Sequence, residues 1–248
     1  MLTLHRASLV LPDPADPTAP SLADGAVLVQ DGRIAGLGPY AGLAAAHPQA
    51  RLRDWGDALL TPGLRNPYGH WLLERAYHPD PREEIGDAPV PGGLTGSADE
   101  TRCGASARRG LQRMLGFGVT AVAGPFERAA VRTAVTRSGL TALPGTPGTE
   151  GPLDPLAVLP LAAAVHGRLS VGGPADFAVF GLLGTPGGSG DPAPRPGDVA
   201  PRPGDVAPRP GDAAPRPGDA APRPGDAAPR PGGSLATVLG GRLVHRRR

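Results

Sequence analysis

The chain has 248 residues and a formal net charge of +2, so bulk charge points to neither a nucleic-acid partner nor an anionic membrane. All 25 basic side chains are Arg, since the sequence contains no Lys. The single cysteine, Cys103, excludes an internal disulfide and reads as a free surface thiol of a protein from a reducing compartment. The opening residues lack a basic segment followed by an apolar run, and no stretch approaches the roughly 18 apolar residues of a membrane span. The expectation is a cytoplasmic chain.

Residues 2–11 carry a strand-like mix of apolar and polar positions, ended by Pro12, Asp13, Pro14 and Pro17. Residues 25–38 predict a hairpin turning at Asp31-Gly32, because Gly accepts positive φ at no steric cost. A short helix is expected over 41–47, a strand over 52–60 and a loop over 79–100. Residues 105–116 suit an amphipathic helix with Leu111, Met114 and Leu115 on one face. A buried strand at 119–123, a helix at 127–138 and a strand at 140–143 follow, an alternation that implies βα units and a parallel sheet. Strand character returns at 169–171 and 175–180, and residues 235–245 read as strand, turn and strand.

Between these, Ala-Pro-Arg-Pro-Gly-Asp-(Val or Ala) recurs every seven residues from Ala193, and a sixth copy stops at Gly232. Two prolines and a glycine per unit block helix and sheet, and almost no apolar side chain offsets the ordering entropy. The expectation for 184–233 is a disordered Pro-rich loop. A role in recruiting partners through a proline-binding groove is the functional alternative.

The stretches Ala23 to Ile34, Thr61 to Asn66, Gly118 to Val122, Gly173 to Val179 and Val238 to Val244, taken in this order, together resemble the amidohydrolase superfamily, of the imidazolonepropionase-like kind. Ala23 to Ile34 is similar to its first strands, and Thr61-Pro62-Gly63-Leu64-Arg65-Asn66 to the signature that leads into barrel strand one. Gly118-Val119-Thr120-Ala121-Val122 is similar to barrel strand two. Gly173 to Val179 resembles the return strand, in which Asp176 is structural, and Val238 to Val244 the closing hairpin. The resemblance implies an α+β chain in which both ends, 1–60 with 168–183 and 234–248, build a composite β-sandwich. The middle, 61–167, would be a truncated, partial TIM-barrel-like α/β remnant, since a full barrel takes about 250 residues.

The resemblance also implies a metal-dependent hydrolase of carbon–nitrogen bonds other than peptides, with a divalent ion such as zinc or iron. The family's His-x-His pair falls on Tyr68 and His70, so the first imidazole is replaced by a phenol. A carboxylated Lys is excluded, and His166 is the only His between His78 and the closing hairpin. The expected centre is therefore degenerate. The one constellation able to rescue it is His70, Glu74 and His78, spaced by four as on one helix face. In it His70 and His78 would bind metal, while Glu74 or Asp80 would act as general base. The alternative is an amphipathic turn whose polar side faces water. The implied partners are a small amide or cyclic amide for an active enzyme, with no nucleic acid and no membrane. A homo-oligomer or a partner chain would cover the open edge of the truncated barrel. The second function class is a non-catalytic binding or assembly module.

Overall fold

The computed structural model describes residues 1–182, 229 and 233–247; the heptapeptide repeat and its expected disorder lie outside the described residues, apart from Pro229 and Gly233. Leu4, Ala7, Leu9 and Val10 are buried along β1 (Leu2–Val10), and the strand pairs antiparallel with β2 (Leu22–Gln30), Leu4 opposite Leu28. β2 turns into β3 (Arg33–Pro39) through Asp31 and Gly32, whose φ values of 51° and 82° match the two positive-φ positions of a type I′ turn. Helix α1 (Tyr40–Ala46) lays Leu43 against Leu4 and Leu28.

The single strand expected over 52–60 is two strands. β4 (Arg51–Asp54) runs parallel to β1 at Thr3–Arg6, and β5 (Ala58–Pro62) runs parallel to it at Leu9 and Val10. The break lies at Gly56, φ 63°, whose N–H donates to the Asp54 carboxylate at 2.9 Å. The return strand β9 (Phe177–Gly181) and the hairpin β10 (Ala236–Leu239) and β11 (Arg242–Arg246) complete the sheet in the order β11-β10-β9-β5-β1-β2-β3, with β4 beside β1. Strands from the two ends of the sequence thus share one sheet.

That sheet folds back on itself. A Cβ on Gly241 would lie 2.9 Å from the Gly32 Cα, so the tips of the β2–β3 and β10–β11 hairpins touch. Val27, Val29 and Ile34 accordingly share a core with Phe177, Val179 and Val238, each fully buried large side chain contributing about 2 kcal/mol. Asp176 fastens the arrangement, its carboxylate accepting the Gly240 N–H at 2.6 Å. No strand forms at 169–171: Leu169 is buried but donates its N–H to Pro12 O, and Gly172, φ 83°, turns the chain.

A second sheet of three parallel strands, β6 (Leu64–Asn66), β7 (Val119–Ala123) and β8 (Thr141–Leu143), carries the helices. Helix α2 (Gly69–Glu74) follows β6. Helix α3 (Glu100–Leu115) begins five residues before the sequence predicts, because the Asp99 carboxylate caps the Arg102 N–H. Its Leu111 and Met114 pack with Val131 and Val135 of α4 (Ala129–Ser138) and with Val119 and Val122. A final short helix, α5 (Leu161–Ala164), packs near β6.

Cys103 is not the surface thiol its polar neighbours suggest. It lies in the first turns of α3, fully buried, beside Tyr77 and Leu94, and Arg128 donates to its Sγ at 3.1 Å. Among the described residues no helix is long and apolar enough to cross a membrane.

Candidate metal centre

β6, β7 and β8 run in one direction, and the segments leaving their C-terminal ends converge. In parallel α/β sheets ligand sites form at that end, because loops from several strands meet there. Asn66, fully buried at the end of β6, ties the first of them. Its amide donates to Pro152 O and Leu153 O, each at 3.0 Å, and its Oδ1 accepts the Tyr68 N–H at 2.9 Å. Gly69 then lets α2 start directly on the end of β7. A Cβ there would lie 2.3 Å from Val122 Cγ2 and 2.4 Å from Ala123 O.

This placement sets His70 and Glu74, both buried, beside Glu127, which is exposed in the segment between β7 and α4. One ligand atom from each of the three lies within 4.8 Å of the other two. The segment after β8 closes the group, as the Gly148 N–H donates to His70 Nδ1 at 3.0 Å. The surrounding cavity is about 580 Å³ and also presents Arg75, Glu100, Arg128 and Arg132. Two of these guanidinium groups bond backbone carbonyls: Arg128 binds Ser97 O and Leu94 O, and Arg132 binds Phe126 O and Glu127 O.

One imidazole and two carboxylates are a donor set suited in type to a divalent zinc-like or iron-like ion. Their spacing suits it as well. One feature opposes it: a neutral imidazole has a single lone pair, and the Gly148 N–H occupies it. A cation at His70 therefore has to displace that N–H from the ring.

The other predicted site residues stand apart from this group. The helix expected to carry His78 onto the same face ends at Glu74, because Tyr77 leaves it to form an antiparallel bridge with Val90. His78 is fully buried under α3, where a Cβ on Gly110 would come within 2.6 Å of its Nε2. Nε2–H donates to Leu72 O at 2.8 Å, and Ser106 Oγ accepts the His78 N–H at 2.9 Å. Burial, with smaller contributions from Arg113 and Arg109, pushes the imidazole down to about 4 against the pull of the Leu72 carbonyl. Asp80 caps the Arg82 N–H of a 3-10 turn and pairs with Arg109 at 3.4 Å. Tyr68, at the position of the missing imidazole, lays its ring flat over Gly151, whose Cβ would lie 2.3 Å from it. Glu127 escaped sequence reasoning. Its only signal was an acidic residue between a buried strand and a helix of a βα unit.

A family model, the imidazolonepropionase-like composite domain of bacteria, matches residues 25–50, which hold the β2–β3 hairpin, α1 and the turn after it. An imidazolonepropionase from Paracoccus denitrificans is 34% identical over 134 residues, covering 48% of this chain and 33% of the relative. Over these segments the chain is similar to enzymes of the amidohydrolase superfamily. A 5-methylthioadenosine/S-adenosylhomocysteine deaminase from Nitratidesulfovibrio vulgaris is also 34% identical, over 101 residues, 34% of this chain and 23% of that enzyme. The chain spans about a quarter to a third of the length of these two relatives. A guanine deaminase structure from Bradyrhizobium japonicum overlays at a TM-score of 0.42 and 19% identity, over 61% of this chain and 36% of the other.

Proposed function

We propose that this chain is a metal-dependent hydrolase of carbon–nitrogen bonds, other than peptides, in small cyclic amides or amidines, working with a reduced centre. The observation that supports it is the meeting of His70, Glu74 and Glu127 at the C-terminal ends of three parallel strands. The relatives, an imidazolonepropionase and a nucleoside deaminase by name, suggest the bond type.

In this reading His70, Glu74 and Glu127 hold the ion, which would supply Lewis acidity. Glu74 is held in place by the Arg128 N–H and keeps its second oxygen for the centre. Glu127, at the exposed rim, would use the carboxylate oxygen not engaged with the ion to take a proton from the attacking water and return it to the leaving nitrogen. Asp80, locked against Arg109, takes no part.

A second reading, a degenerate non-catalytic binding or assembly module, is favoured by the Gly148 N–H on His70 and by Tyr68 packed over Gly151. Elemental analysis of untagged protein and of a His70→Ala variant separates the two. About one zinc or iron per chain, lost in the variant and accompanied by turnover of a cyclic amide, supports the hydrolase. No stoichiometric metal in the parent protein sinks it and leaves the binding module.

A further inference from the structure

The eight-stranded sheet holds a polar cavity of about 770 Å³ that shares no residue with the candidate metal centre. Thr3, His5, Arg53 and Arg242 line it, together with the touching hairpin tips at Gly32 and Gly241. Asp31 is the one carboxylate of the lining, and the Met1 ammonium engages it at 3.1 Å. Arg53 and Arg242 have no carboxylate partner among the described residues.

Arg51, also without a carboxylate partner among the described residues, and Arg246, whose guanidinium lies 5.9 Å from the Trp55 ring centroid, add positive charge around Arg53. Burial first, and then these two like charges, lower the Arg53 pKa. Crowding cations without a counter-ion is unfavourable, and an oxyanion relieves it through charge-assisted hydrogen bonds.

A second observation concerns His5, a residue of the same lining. His5 is paired across the sheet with Arg53, is 1% exposed, and stacks on Trp55 with centroids 6.0 Å apart. Its Nδ1 is buried without a hydrogen-bond partner, as is the Trp55 Nε1. Orphaned buried polar atoms are uncommon in folded proteins and call for a partner.

We propose that this cavity is a binding site for a small oxyanion-bearing ligand, of the phosphate or carboxylate class, held by Arg53 and Arg242 above His5. It is separate from the hydrolytic centre and does not depend on metal there.

The test follows the Trp55 indole N–H resonance, assigned by its loss in Trp55→Phe, as inorganic phosphate or citrate is added at constant ionic strength with chloride as reference. A saturable shift with phosphate, citrate or both supports the site and names the class. Arg53→Gln and, independently, Arg242→Gln on the exposed side of β11 should each weaken binding at least about tenfold, the scale of one lost charge-assisted hydrogen bond. Arg137→Gln, on α4, should leave it unchanged. No saturable shift beyond chloride, or an equal loss in Arg137→Gln, overturns the proposal.

Discussion

The Glu74 carboxylate accepts the backbone N–H of Arg128 at 2.9 Å, so a side chain of α2 caps the start of α4, 54 residues away. Glu100 does the same for the Ala130 N–H at 3.0 Å. Arg128 itself makes no side-chain cap, and α4 has no acidic residue in its first turn. Its N-terminal N–H groups thus depend on carboxylates from other helices.

Two substitutions separate the capping role of Glu74 from a metal-binding one. Glu74→Gln keeps an acceptor for Arg128 and should melt within about 0.5 kcal/mol of the parent, while Glu74→Ala should lose about 1 kcal/mol. Both should weaken divalent-ion binding at the centre, measured by competition with a chelating dye. Equal ion affinity in Glu74→Gln and the parent would assign Glu74 to capping alone.

Gly69 offers a steric handle on the same centre. Its missing Cβ faces Val122 and Ala123 O at 2.3 and 2.4 Å, distances that no side-chain motion at Gly69 relieves. Gly69→Ala should cost about 1–3 kcal/mol of stability in thermal melts, through overpacking against backbone. It should also lift His70 away from Glu127 and reduce ion affinity more than Gly38→Ala, where a Cβ meets nothing within 4 Å.

The fold was legible where one residue's chemistry decided one local event. Asp31-Gly32 turns the hairpin through positive φ, and Asp176, read as structural, holds Gly240. The helices and strands of the βα middle follow the apolar period, to within a few residues at their ends. What the sequence hid depends on contacts between distant segments. Cys103 is buried by Arg128, Tyr77 and Leu94, and Glu127 meets His70 and Glu74 across segments distant in sequence, with Gly69 seating α2 on β7. Of the four-residue spacing His70, Glu74 and His78, the helix α2 carries His70 and Glu74. The Tyr77–Val90 bridge then removed His78 from that face.

Asp176 gives a prediction on the composite sheet. Asp176→Ala removes the acceptor of the Gly240 N–H and frees the β10–β11 turn, for about 1 kcal/mol in chemical denaturation. Amide exchange should speed at Gly240 more than in β2. Unchanged exchange at Gly240 would mean that the touching tips at Gly32 and Gly241 hold the hairpin unaided.

His78 predicts how stability falls with acid. Burial under α3 holds its folded pKa at about 4, below the ordinary 6.5, so the folded state favours the neutral ring. A base with a depressed folded pKa contributes stability that is complete above its unfolded value and is lost as pH falls toward the folded one. The unfolded chain binds the extra proton in the window from 6.5 down to about 4, and unfolding becomes easier there. The loss attributable to His78 is on the order of 3 kcal/mol, from about 1.4 kcal/mol per pKa unit. His5, pushed down to about 3 by burial and then by Arg53, adds a loss of the same sign that continues to lower pH. His78→Gln keeps a donor for Leu72 O without a group that titrates in this range, so denaturant unfolding of that variant should take up close to one proton fewer at pH 5. An unaltered slope of stability against pH in His78→Gln would place the acid sensitivity elsewhere.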